Sequence, residues 1–138
     1  MSDYRAPVKD MRFVMDEIVG LNEIAQLPGY EEATPDMADA ILDEAAKFTG
    51  GVLAPLNRIG DQQGCKLDVA TRTVLTPDGF KEAYAAYVEG GWPAMVCEPE
   101  FGGQGLPVLL NQCFFEMLNS ANQAWTMYPG LSHGAYAA

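Results

Sequence analysis

Basic residues are scarce in this sequence. Eight lysines and arginines face nineteen aspartates and glutamates, a formal net charge of −11. A nucleic-acid backbone or an anionic membrane surface would be repelled by that field, so neither is an expected partner. Long apolar runs are missing too. None approaches the roughly 20 residues of a membrane span, and the opening MSDYRAPVKD has no apolar signal core. Cys65, Cys97 and Cys113 are odd in number and widely spaced, with no CxxC and no zinc pattern. They read as reduced, mostly buried thiols of a cytoplasmic protein. Histidine occurs once, at His133, with no partner at catalytic spacing, so it reads as a packed or surface residue and no metal site is expected.

What is present is a globular composition. Apolar residues make up 49% of 138, enough for one small domain with a real core. Met11, Val14, Met15 and Ile18 fall at helical spacing on one face, and Leu27-Pro28-Gly29 breaks that pattern. Thr34 is a good N-cap with Pro35 behind it. The stripe Met37, Ile41, Ala45 and Phe48 follows and runs on through Val52 and Leu56, weakened at Gly50-Gly51. Pro55 predicts a kink or an early end, and GDQQG a polar turn. CKLDVATRTVL alternates weakly, as a hairpin or an extended arm does.

A second Thr-Pro signal, Thr76-Pro77, opens a helix that ends at Gly90-Gly91. Its expected buried face is Phe80, Ala83, Tyr84, Tyr87 and Val88. Pro107 can start another helix, with a wide apolar face of Leu109, Leu110, Cys113, Phe114, Met117 and Leu118. Asn119 to Asn122 is a polar break. The last segment, QAWTMYPGLSHGAYAA, is apolar nearly all round and is interrupted at Pro129-Gly130. Such a helix needs partners on every side, so the chain reads as the front piece of something longer. The expected fold is all-α: a bundle of about five helices, with a short extended or hairpin segment near residues 65–75.

PEFGGQGLP, Pro99 to Pro107, is the most unusual stretch. A Walker-type phosphate loop needs a Lys and a Ser or Thr after the last glycine, whereas Leu106-Pro107 follows here. A dinucleotide fingerprint needs a preceding strand and GxGxxG, and GGQG offers neither. The remaining reading is a stiff corner between helices, with Gly102-Gly103 permitting positive φ.

These residues carry a resemblance. EGGWPAMVCEPEFGGQGLPVLLNQCFFEMLNSAN resembles the N-terminal helical domain of acyl-CoA dehydrogenases. That family has a helix ending in glycine, a short apolar segment, P-E-x-x-G-G-x-G-L, and then a helix bearing a Glu. Here these are Gly91-Trp92, Pro99 to Leu106, and Glu116. YRAPVKDMRFVMDEI resembles an extension in a larger-subunit branch, which includes enzymes similar to 3-methylmercaptopropionyl-CoA dehydrogenase. The resemblance covers essentially the whole chain. It divides the chain into an extension over 1–33 with one helix, and a family-like helical domain over 34–138. The family's middle β domain and C-terminal domain lie outside these residues.

The resemblance implies a flavoenzyme that oxidises an acyl-CoA at its α and β carbons. FAD carries the redox step, electron-transfer flavoprotein is the expected acceptor, and a homo-oligomer is expected. The catalytic Glu and most flavin contacts belong to the absent domains. No catalytic residue is therefore expected here, and this piece alone is expected to be inactive and not to hold FAD tightly. Glu98, Glu100 and Glu116 are read as solvated or capping carboxylates. The segment after the Glu-bearing helix passes the acyl tail in the family, so Trp125, Tyr128, Leu131 and Ser132 are the candidate pocket wall. Simple core is the competing reading for them. Two other readings stay open: a stand-alone acidic helical module for binding or dimerisation, and an acyl-CoA oxidase of the same family.

Overall fold

The computed structural model describes residues 4–138. The architecture is mostly α with one small hairpin, as expected. Helix α1 (Val8–Phe13) runs on as a π turn over Val14–Val19 and stops at Gly20, whose φ is 80°. A short α2 (Leu21–Ile24) follows. Helix α3 (Pro35–Phe48), a π turn over Thr49–Leu53 and α4 (Ala54–Gln63) form one rod. Strands β1 (Lys66–Asp68) and β2 (Thr73–Leu75) pair antiparallel, with Leu67 opposite Val74. Helix α5 (Phe80–Glu89), two short 3-10 turns and the long α6 (Val108–Ala137) complete the described residues.

Thr34 caps α3 as expected: its Oγ1 accepts the Met37 amide at 3.3 Å, with Pro35 in the first turn. The core lies between the α3–α4 rod, α5 and α6. Leu42, Leu53, Leu110, Phe114, Met117 and Trp125 are fully buried there. Phe48 sits among the rings of Tyr87, Trp92, Phe114 and Trp125, with centroids 6.2 to 6.4 Å away. This is the range of tilted and edge-to-face aromatic packing.

Several local expectations are corrected. Met11 and Met15 are buried, but Val14 and Ile18 of the same stripe are exposed. The π turn puts more residues in each turn than the α-helix assumed by the spacing, so the stripe splits. Pro55 does not end its helix, which runs on to Gln63. It lacks an amide and crowds the carbonyl of the preceding turn, and the wider π turn before it takes up that mismatch. GDQQG is not a turn but the end of α4, which Gly64 terminates at φ 60°. Gln63 then clamps the next helix start. Its Nε2 donates to Asp78 Oδ2 at 2.9 Å, and the Asp78 amide donates to its Oε1 at 2.8 Å.

That clamp moves the start of α5. Residue 79, a glycine with φ 81°, stands at the cap position expected for Thr76. The face of α5 is narrower than expected: Phe80, Ala83 and Tyr87 are buried, Tyr84 half-buried and Val88 exposed. The polar break at Asn119–Asn122 shrinks to one residue. Only Asn122 leaves helical geometry, at φ −162° and ψ 85°. The thiols are less buried than expected. Cys65 is exposed at the junction of α4 and the hairpin, and Cys97 and Cys113 are half-buried. No helix among the described residues is long and apolar enough to cross a membrane.

Candidate functional site

The corner from Trp92 to Pro107 is tied into a knot of backbone hydrogen bonds. The amides of Phe101 and Gly103 both donate to the Glu98 carbonyl, at 3.0 Å each, and that of Gly102 to Pro99. Those of Gln104, Gly105 and Leu106 donate to Ala94, Cys97 and Met95, at 2.9 to 3.0 Å. The amides of residues 101 to 106 are thus all committed inside the protein. Gly102 and Gly105 have φ of 81° and 65°, where glycine is favoured. Gly103 is required for a different reason from the expected one. Its φ is not positive, but a Cβ there would lie 1.9 Å from the Cys97 carbonyl oxygen.

The corner packs beside an elbow in α6. Asn122 is fully buried and does three things at the bend. Its Nδ2 donates to the Leu53 carbonyl at 3.3 Å, and its Oδ1 accepts the Trp125 amide at 3.1 Å. Its own carbonyl accepts the Thr126 hydroxyl at 2.9 Å. The side chain therefore acts as an N-cap inside what is otherwise one helix. Beyond it the second arm, residues 123–137, turns back towards the first. The Tyr136 hydroxyl accepts the Glu98 amide at 2.9 Å, which fastens the second arm to the corner.

Between corner, α5 and the two arms lies a groove of about 370 Å³, within the size range of ligand pockets. Tyr84, Tyr87, Trp92 and Phe115 give it aromatic walls, and Asn111, Gln112, Ser132 and His133 give it polar edges. No acidic or basic side chain apart from His133 lines it. Burial pushes the Tyr87 phenol up to about 12, so it stays neutral at physiological pH. Cys113, nearby on α6, is also pushed up, first by burial and then by the Glu116 charge. A neutral groove of this kind suits an uncharged, largely apolar ligand part.

The four candidate wall residues lie in four different environments. Ser132 lies on the groove edge. Trp125 is fully buried behind the groove, its Nε1 donating to the Phe80 carbonyl at 3.2 Å. Tyr128 packs edge-on to Phe80, and its hydroxyl is 3.5 Å from Cys65 Sγ. That contact, followed by burial, raises the Tyr128 pKa. Leu131 is 71% exposed. Sequence reasoning missed the groove aromatics Tyr84 and Phe115, which it read as helix-face residues or left unassigned. It also missed Asn122 as an elbow. A buried-type asparagine followed three residues later by Trp125 and four later by Thr126 was the available signal.

The sequence matches known proteins along nearly its whole length. It is 36% identical over 132 residues to 3-methylmercaptopropionyl-CoA dehydrogenase from Ruegeria pomeroyi, covering 96% of this chain and 22% of that protein. The chain is homologous to part of the acyl-CoA dehydrogenases. The broad-specificity linear acyl-CoA dehydrogenase FadE5 of Mycobacterium tuberculosis is 28% identical over 94% of the chain and 21% of its own length. A butyryl-CoA dehydrogenase of Syntrophomonas wolfei is 29% identical over 96% of the chain and 22% of its own length. The chain thus spans about a fifth of the length of these acyl-CoA dehydrogenases. No protein-family model matches it.

Proposed function

We propose that the chain is the N-terminal helical domain, with its extension, of an FAD-dependent enzyme that oxidises an acyl-CoA at its α and β carbons. The observation that carries this reading is the 36% identity over 96% of the chain to an acyl-CoA dehydrogenase. In this reading the second arm of α6 contributes part of the acyl-pocket wall. Tyr128, Leu131 and Ser132 face the tail, and Trp125 holds the arm from behind. The remaining domains of the enzyme supply the catalytic base, electron-transfer flavoprotein accepts the electrons, and the complete enzyme is a soluble cytoplasmic homo-oligomer.

The corner and the groove beside it do not fit a flavin pyrophosphate. The corner amides are committed to carbonyls, and the groove offers no lysine or arginine for a pyrophosphate. The helical domain therefore contributes shape and packing, not redox chemistry, and is inactive alone. The test is a flavin titration of the 138-residue chain, followed by fluorescence. No saturable binding at micromolar FAD is expected. Stoichiometric binding would overturn this division of labour. The enzyme class is tested separately, by bleaching of the flavin in the full-length protein on adding acyl-CoA without oxygen.

A further inference from the structure

The hairpin gathers four exposed apolar side chains outside the helices. Leu67, Val69, Val74 and Leu75 are all more than half exposed, Val69 at 78%. The two-stranded sheet leaves one edge of each strand open. Neither edge takes a backbone hydrogen bond from another element among the described residues. An open edge beside apolar side chains is a template for pairing with another strand. The hairpin also departs from the rest of the molecule in charge. Residues 65–75 hold two cations, Lys66 and Arg72, and one anion, Asp68, in a chain of net charge −11.

The order of charges on β1 selects the occupant. The strand reads Lys66-Leu67-Asp68. Consider two copies of β1 paired antiparallel about a twofold axis at Leu67. Lys66 then lies opposite the second copy's Asp68, Asp68 opposite its Lys66, and Leu67 opposite its Leu67. Such a contact is isologous and closes on itself, and its directly opposed ion pairs and leucine pair are the units that stabilise a sheet. Lys66 makes no ion pair among the described residues. Asp68 uses Oδ1 to hold the loop, accepting the Ala70 and Thr71 amides at 2.9 and 3.3 Å. The Thr71 side chain also holds this carboxylate, which fixes its charge at the end of the strand. The hairpin is therefore already shaped and its charges already placed before a partner arrives.

We propose that this chain self-associates edge to edge through β1, forming a four-stranded antiparallel sheet across a twofold axis at Leu67. The contact is short, three residues on each side, so it forms a reversible dimer. It does not depend on the enzymatic reading.

Sedimentation of the 138-residue chain tests it. A monomer–dimer equilibrium is expected at tens of micromolar. Lys66→Glu opposes two carboxylates at each end of the contact and is expected to weaken the dimer about tenfold or more. Asp68→Lys is expected to do the same. A mixture of the two variants restores opposite charges at every position and is expected to regain a heterodimer. If Asp68→Lys loses the hairpin fold through its loop contacts, isotope-filtered NMR on mixed labelled and unlabelled wild-type chain gives the second reading. Intermolecular contacts between the two Leu67 side chains are expected. The proposal is overturned by a wild-type chain that stays monomeric, by undiminished association of Lys66→Glu, or by the absence of those contacts. It is equally overturned if Leu131→Ser, on α6, abolishes the dimer while Lys66→Glu does not.

Discussion

The two arms of α6 have similar apolar sequences and opposite fates. In the first arm, residues 108–121, Leu110, Phe114, Met117, Leu118 and Ala121 are all buried. In the second, residues 123–137, Trp125, Thr126 and Pro129 are buried, while Met127 and Leu131 stand out at 57% and 71% exposure. No acidic or basic residue follows Glu116 except His133. The first arm is covered by the α3–α4 rod and α5. The second meets the rod only near its own start, through Trp125 against Phe48 and Tyr128 against Cys65 just past the rod's end, and has the corner beyond that. Apolar content thus says that a face wants cover, and packing decides whether this chain provides it. Exposed apolar side chains on one uncharged arm of an acidic protein mark a surface shaped for contact.

The comparison breaks hardest at the corner that holds the second arm. Gly103 sits against the Cys97 carbonyl, where a Cβ would come within 1.9 Å. Neither partner is a flexible side-chain end, so the backbone must move and the bonds of Gln104, Gly105 and Leu106 are disturbed. Overpacking of this kind costs about 1–3 kcal/mol, and each lost hydrogen bond about 1 more. Gly103→Val is expected to lower stability by about 3 kcal/mol in denaturant melts, with loss of the Tyr136 contact to the corner. An unchanged melting curve would show that the glycines serve close approach to a ligand and not the fold.

A smaller effect is expected at the elbow. Asn122→Ala removes the cap of the second arm and leaves the Leu53 carbonyl without its partner. Loss of a cap costs about 1 kcal/mol, and an unsatisfied buried acceptor about 1–3. The expected loss is about 2 kcal/mol, concentrated in the second arm. Amide exchange is the sharper readout: protection should fall over residues 123–137 and persist over 108–121. Uniform loss along both arms would mean that the elbow is not a boundary.

Much of this was legible in the sequence. The Thr34 cap, the hairpin, the Gly90-Gly91 stop and the buried face of the first arm all follow from local signals: caps, period and turn residues. The misreadings have two main causes. Two π turns changed the helical period, so Val14 and Ile18 left the face where the 3.6 spacing put them, and Pro55 was absorbed. The Gln63–Asp78 clamp, between residues 15 apart in sequence, displaced the expected cap at Thr76. The groove was the least legible feature. Its walls come from α5, the corner and both arms of α6, and only the elbow at Asn122 brings them together.

The smallest effect on stability is expected at Leu131, and it bears most directly on function. An exposed side chain that contacts little of its own chain contributes little to folding, so Leu131→Ala should change stability by less than about 0.5 kcal/mol. In the complete enzyme its role is different if the second arm walls the acyl pocket. One methylene in an apolar pocket is worth about 1–3 kcal/mol, so discrimination between tails is graded. Leu131→Ala should shift the relative kcat/KM towards longer or bulkier acyl-CoAs. The flavin spectrum should hardly change, because the redox chemistry lies with other residues. A chain-length series on wild-type and variant enzyme reads this directly. Equal losses for every acyl-CoA would remove Leu131 from the pocket wall. The exposed face of the second arm would then be left as a surface for packing against protein and not against substrate.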